Sequence, residues 1–277
     1  MDAPEHQSPY MPMFETFRKE LDEHHDRRER VIKASRDVTA SSKKIIFTLQ
    51  RTRNIAQPLP QSTKKNNAQY YDTIRDRYKQ ISPDVQGLNT WRYNRQVSGG
   101  SQEFMEAACF EHYLVTGKLL TYDEAVAQLR ELGGESGPVD LSVEDYLLGV
   151  FDFTGELMRF AITAMATSGK LPSLAQRPPK DDGDKMDIDS TPPIAATGSD
   201  RNVLTDLRAL RSELEKLNVG RGSSFARDVE KKMEVMQVSV EKVEKALYGL
   251  VVRGRERPKG WMPDTDAGPR RDVEVDA

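Results

Sequence analysis

Between Phe14 and Leu49 the apolar residues Phe14, Phe17, Leu21, Val31, Val38, Ile45 and Leu49 recur mostly at intervals of three and four residues or their multiples. Spacing of that kind places side chains on one stripe of an α-helix. A stripe kept for close to forty residues is longer than an ordinary globular helix and suits the seam of a bundle or coiled coil. Pro58 and Pro60 close the stretch, because proline lacks the amide a helix interior needs. A chain that begins this way is committed to helix packing.

The rest of the chain reads in the same terms. A second helix is predicted from Asn66 to Ile81 on Tyr71, Ile74, Tyr78 and Ile81. Ser82-Pro83 has the form of an N-cap followed by proline at the first helical position, predicting a third helix that reaches Val97. Gly99-Gly100 are expected to end it, and a fourth helix runs from Ser101 to Thr116. Thr121-x-x-Glu124 has the form of a capping box for a fifth, ending near Leu132, with a loop at 133–138. Ser142 caps an apolar helix from Val143 to Thr167 carrying Tyr146, Leu147, Val150, Leu157, Met158 and Ala161. Two further helices are predicted over Val203–Leu217 and Phe225–Val252. The fold class is all-α, a single helical domain over 13–256.

Three segments fall outside this pattern. Residues 1–12 carry three prolines, and residues 170–200 carry five prolines and six aspartates without apolar periodicity. Both read as disordered, as does the tail from 257 to 277. Residues 170–200 are expected to be a flexible acidic and proline-rich insertion between helices.

Composition narrows the function. One cysteine, Cys109, among 277 residues rules out an internal disulfide framework and points to a reducing compartment. The first residues lack the basic and apolar parts of a secretory signal, and no stretch approaches the roughly 20 apolar residues needed to cross a bilayer. No membrane is expected. The net charge of −3 gives no bulk attraction for nucleic acid. Locally, however, Arg27 to Arg53 contains nine basic residues against Glu29 and Asp37. Such a run is either a solvated helix face or a phosphate-binding surface.

Catalytic motifs built on nucleophilic serine, a phosphate-cradling glycine loop or paired zinc histidines are absent. Cys109 and His112 share a helix face and read either as a nucleophile and base or as buried packing. Two acidic pairs remain. Glu103-x-x-Glu106 and Asp152-x-x-x-Glu156 each place two carboxylates on one helix face. Asp152 interrupts YLLGVFDFTGELM, where an unpaired ionised carboxylate is costly to bury. Hard oxygen donors suit Mg²⁺ or Mn²⁺. The same spacing also describes a solvated face, with Arg159 pairing the second set.

Four stretches carry a family resemblance: SGGSQEFMEAACFEHYLVTGKLLTYDEA, VEDYLLGVFDFTGELMRFAI, RKELDEHHDRRERVIKASRDVTASSKKIIFTLQR and VEKVEKALYGLVVRG. They resemble the translin-associated factor X (Trax) branch of the translin superfamily. The resemblance implies a bundle of about seven helices with a long first helix. It implies a partner, translin, in a hollow hetero-oligomer that encloses RNA and cleaves it with Mg²⁺. The family's acidic residues fall on Glu103, Glu106, Asp152 and Glu156, which the resemblance makes catalytic and metal-binding, while translin does not keep the full set. The implied function is endoribonuclease action on single-stranded RNA, with single-stranded DNA as a further ligand, in small-RNA or tRNA-fragment processing. Arg27, Arg28, Arg30, Lys43 and Lys44 are the expected phosphate contacts, and a cytoplasmic and nuclear location is expected. The alternative class is a non-catalytic partner that stabilises translin and binds nucleic acid or proteins. A di-iron carboxylate bundle is disfavoured because the chain has no Glu-x-x-His motif in its acidic helices.

Overall fold

A computed structural model describes residue 8 and residues 10–134, 137–174, 201–220 and 222–253. Among these, seven α-helices follow one another: α1 Met11–Leu49, α2 Gln61–Ile81, α3 Leu88–Thr116, α4 Tyr122–Gly133, α5 Val143–Ser168, α6 Val203–Leu214 and α7 Ser224–Arg253. No strand occurs among the described residues, apart from an isolated bridge between Ser173 and Asn202. The all-α expectation holds, and no helix of the described residues is long and apolar enough to cross a membrane.

Two expected boundaries are corrected. Ser82–Val85 forms a 3₁₀ turn rather than the start of an α-helix, with its proline in the first positions. Gly99-Gly100 do not break a helix: the expected third and fourth helices are one, α3. The reason lies in close packing rather than propensity. A Cβ on Gly100 would meet the Ser35 carbonyl oxygen and Oγ at 2.9 Å, so a residue without a side chain lets α3 approach α1. Ser35 Oγ accepts from the Gly100 amide at 3.0 Å and donates to the Val97 carbonyl at 3.3 Å. The helix penalty of glycine, about 1 kcal/mol, is offset by this close approach.

The chain divides into two compact units. The first comprises residues up to 47, 62–108 and 120–149. Its core holds Val31, Val38, Ile45, Ile74, Tyr78, Phe104, Met105 and Leu129, with the Tyr78 and Phe104 rings edge to face at 6.1 Å. The expected capping box at Thr121 forms, with Glu124 closing it reciprocally. Ser142 Oγ accepts from the Asp145 amide at 3.0 Å, the cap expected for α5.

The long stripe of α1 is used in part. Burial begins at Val31, whereas Phe14, Phe17 and Leu21 are 61%, 48% and 68% exposed. The Phe14 and Phe17 rings meet edge to face, 6.2 Å apart. Periodicity marks a face that wants cover and is silent about which residues receive it.

The second unit comprises residues 48–61, 109–119 and those from 150 onward. Phe110, Tyr113, Phe153, Leu157 and Phe160 are buried there. Phe110 lies 6.4 Å from the Phe153 ring and 6.0 Å from that of Phe160. Each such ring contributes roughly 1.5–3 kcal/mol on burial. Tyr113 donates to Asp206 at 2.7 Å, and Arg201 reaches Asp206 at 2.6 Å and the Gly117 carbonyl at 2.7 Å. This network holds the start of α6, whose Asn202 completes a capping box.

Part of the expected insertion proves ordered. The Leu174 amide donates to the Arg201 carbonyl at 3.0 Å and the Val203 amide to the Pro172 carbonyl at 3.1 Å. Residues 171–174 are therefore clasped to 201–203. Residues 175–200 lie outside the described residues, as do 1–7, 9 and the tail from 254.

Candidate acidic site

Glu103 and Glu106 sit half-buried on α3, in the first unit. They are three residues apart, so they lie one turn from each other on the same face. Lys43 of α1 approaches Glu103 at 3.7 Å. The start of α5 packs directly against this turn. A Cβ on Gly149 would stand 2.6 Å from Met105 Cβ, 2.9 Å from the Gln102 carbonyl and 3.3 Å from the Glu106 amide. Gly149 is thus the residue that brings α5 onto the acidic turn of α3, a role that its place in DYLLGVF does not advertise.

Asp152 and Glu156 sit on α5 in the second unit. The Asp152 side chain is 36% exposed, and the ammonium of Lys232, from α7, contacts both of its oxygens. Glu156 is 8% exposed. Gln50 donates to its Oε2 at 2.8 Å and to its backbone carbonyl at 2.9 Å. Arg159 approaches Oε1 at 2.9 Å and Oε2 at 3.3 Å. The expected Glu156–Arg159 pair is present, while Lys232 and Gln50, distant in sequence from both acids, have no signal that spacing could reveal.

Carboxylate donors suit a hard divalent cation. The Lys232 ammonium already stands as a cation on Asp152. Gln50 Oε1, on the amide that donates to Glu156, is buried with no hydrogen-bond partner among the described residues. Among those residues no three histidine, cysteine, aspartate or glutamate side chains stand together as a metal-holding group. As they stand, Glu103, Asp152 and Glu156 are balanced by Lys43, Lys232 and Arg159.

The expected phosphate contacts are distributed differently. Arg30 grips Asp84 with Nε at 3.0 Å and Nη2 at 2.8 Å, and Arg27 Nε reaches the same carboxylate at 3.3 Å. The Asp84 hydrogen bond raises the Arg30 guanidinium above its usual range. Arg28 pairs with Glu29 at 2.9 Å, and Lys44 lies 5.4 Å from the Tyr70 ring centroid. Beside these residues a cleft of about 560 Å³ is lined by Arg28, Arg36 and Arg95, with Ile32, Ser35, Gln96 and Gly99. Arg95 is not among the expected contacts, since it lies on α3, far along the chain from the basic run. Cys109 is fully buried, in keeping with packing.

The described residues define an all-helical protein with paired acids on two of its helices, and comparison with known proteins narrows that class. The family model described as Translin family matches residues 26–254. Translin-associated protein X of Rattus norvegicus is 30% identical, over 93% of this chain and 83% of its own length. The Translin-associated protein X homolog of Schizosaccharomyces pombe is 27% identical, covering 88% of this chain and 89% of its own. Translin of Gallus gallus is 24% identical over 80% of this chain and 88% of its own. The crystal structure of apo-NeC3PO has the same fold, with a TM-score of 0.52 at 14% identity over 86% of this chain and 98% of that one. This chain belongs to the Translin family.

Proposed function

We propose that the chain is a Trax-like subunit that joins translin-type partners in a hetero-oligomer and hydrolyses single-stranded RNA with Mg²⁺. The observation that carries this reading is the intact set Glu103, Glu106, Asp152 and Glu156 in a chain similar to Translin-associated protein X. By the family resemblance these four carboxylates would be the cation's ligands, with Mn²⁺ as an alternative, although among the described residues no three of them stand together as a metal-holding group. A bound divalent ion supplies Lewis-acid stabilisation of the phosphate and an activated water. The chain's own residues do the rest. Gln50 and Arg159 fix the Glu156 carboxylate, and Gly149 sets α5 against the turn bearing Glu103 and Glu106. The cleft of Arg28, Arg36 and Arg95 supplies phosphate contacts.

The exposed apolar side chains Phe14, Phe17 and Leu21 on α1 support a partner role, because contiguous exposed apolar surface marks protein interfaces. Cytoplasmic and nuclear residence, and a role in small-RNA or tRNA-fragment processing, belong to the same reading.

The test is RNA cleavage by the chain co-purified with its translin-type partner. Cleavage in Mg²⁺ is expected to stop with EDTA and to fall by at least about a hundredfold in Glu103→Gln and Asp152→Asn, about the cost of removing one electrostatic interaction with the transition state. Products should bear 5′-phosphate and 3′-hydroxyl ends. Cleavage by the variants at wild-type rate would make the carboxylates structural, and 2′,3′-cyclic phosphate products would rule out the hydrolytic route. The non-catalytic reading, a partner that only stabilises translin and binds nucleic acid or proteins, gains from the pairing of three of the four acids with cationic side chains. It calls for RNA retention without cleavage in the same assay.

A further inference from the structure

We infer that Trp91 is a base-stacking platform for single-stranded nucleic acid, one helical turn from the basic cleft, so that the chain distinguishes unpaired strands from paired ones. The platform presupposes that the chain binds RNA, as proposed. Trp91 is 87% exposed, and Leu88, one turn before it, is 90% exposed. A single exposed apolar residue is ordinary on a protein surface; the surroundings give this one a role. Trp91, Arg95 and Gly99 follow at four-residue spacing on α3 and lie along one face of the helix. Arg95 and Gly99 line the cleft that also holds Arg28 and Arg36, and Arg95 stands only about 6 Å along the axis from Trp91. Nothing lies within 4 Å of the place a Gly99 side chain would take, so the face is open at its cleft end.

Charge favours the same ligand. From Leu88 to Gln102, α3 carries Arg92 and Arg95 and no acid. Neither of these arginines, nor Arg36 of the cleft, has an ion-pair partner among the described residues. Arg92 donates to His24 Nε2 at 2.7 Å, which positions the guanidinium without neutralising it. An aromatic ring among such guanidiniums is the combination that binds single strands: bases stack on the ring while the cations take the backbone. A protein partner is the other occupant an exposed ring can have, and it suits the stripe of Phe14, Phe17 and Leu21 better. That stripe is interleaved with Glu15, Glu20, Asp22 and Glu23, acids that repel phosphate. Around Trp91 the exposed apolar surface of this stretch of α3 is Leu88 alone, and its charges are positive.

Stacking needs a base with a free face. Every unpaired base offers one, whereas in a duplex each base already lies between its neighbours. The platform therefore tolerates any sequence and discriminates against paired strands.

The experiment is fluorescence anisotropy in EDTA, with the full chain co-purified with its translin-type partner and thermal melting to verify that each variant is folded. The ligands are a labelled oligoadenylate, a strand of the same length made abasic throughout, and a blunt duplex. Trp91→Ala is expected to weaken binding of the oligoadenylate at least about fivefold, the lower end of what one base–aromatic stack contributes, with the salt slope unchanged because no phosphate contact is lost. Trp91→Phe, which keeps a stacking ring, should bind more tightly than Trp91→Ala. The abasic strand and the duplex should be bound alike by wild type and Trp91→Ala. Unchanged oligoadenylate binding in Trp91→Ala, equal affinity of the Phe and Ala variants, or an equal loss on the abasic strand or the duplex overturns the platform and leaves the RNA reading intact. Loss of the translin-type partner from the Trp91→Ala preparation assigns the ring to a protein interface and overturns the platform as well. If wild type binds none of the three ligands, the RNA reading fails and the platform fails with it.

Discussion

Gly149 and Met105 meet at a distance that admits no side chain on the glycine: an added Cβ would lie 2.6 Å from that of Met105, with backbone of the same α3 turn just beyond. Neither helix can give way by rotating the far end of a flexible side chain. Gly149→Ala is expected to destabilise the protein by about 1–3 kcal/mol, the usual cost of overpacking. The loss would be read as an earlier midpoint in denaturant or thermal unfolding. An unaltered midpoint would show that α5 is not seated on α3 as described.

Gln50 is the amide partner of Glu156, a carboxylate only 8% exposed. Gln50→Leu keeps the volume and deletes the donor. It is expected to cost about 1–3 kcal/mol for the hydrogen bond removed from a buried charge. RNA cleavage by the partnered chain should fall while RNA affinity stays at the wild-type level. A parallel loss of affinity would move Gln50 from the acidic site to the RNA surface.

Arg36 and Arg95 line the same cleft, whereas Arg30 is committed to Asp84. Arg36→Gln with Arg95→Gln is expected to weaken single-stranded RNA binding and reduce the salt slope by about 0.7 for each phosphate that is no longer neutralised. Arg30→Gln should instead lower thermal stability, leaving the salt slope unchanged. Fluorescence anisotropy across a salt series separates the two classes. Equal slopes in wild type and the double variant would remove the cleft from the RNA path.

Tyr113 donates to Asp206, and its phenol is pushed well above the usual range by burial first and by the neighbouring carboxylate second. The folded value thus exceeds the unfolded one of about 10. Its contribution to stability is complete below pH 10 and is lost as the pH rises beyond that. Melting of wild type between pH 9 and pH 11 is expected to fall more steeply than that of Tyr113→Phe, which lacks the titrating group. Parallel pH profiles would contradict the assignment.

Much of the helical order is legible along the chain because its signals are local. The Thr121–Glu124 box and the Ser142 cap involve residues three apart, and both form as written. Local signals mislead where a distant neighbour reverses them. Gly99-Gly100 read as a break, yet Gly100 is the residue that lets α3 lie on Ser35. The acidic pairs are visible because helical spacing puts each on one face. Their companions Lys232 and Gln50 are not, since only folding brings a residue of α7 or of the turn after α1 to those carboxylates. The basic run shows the same limit: the sequence displays charge, and only the structure reveals that Arg27 and Arg30 direct theirs to Asp84.

The backbone bonds from Leu174 to Arg201 and from Val203 to Pro172 have an evolutionary reading. With both ends of the intervening stretch fastened to each other, residues added or removed between them do not pull on α5 or α6. The clasp turns that point in the chain into a place where length can drift among relatives and new sequence can be tried, while the helices bearing Asp152, Glu156 and Lys232 hold their register.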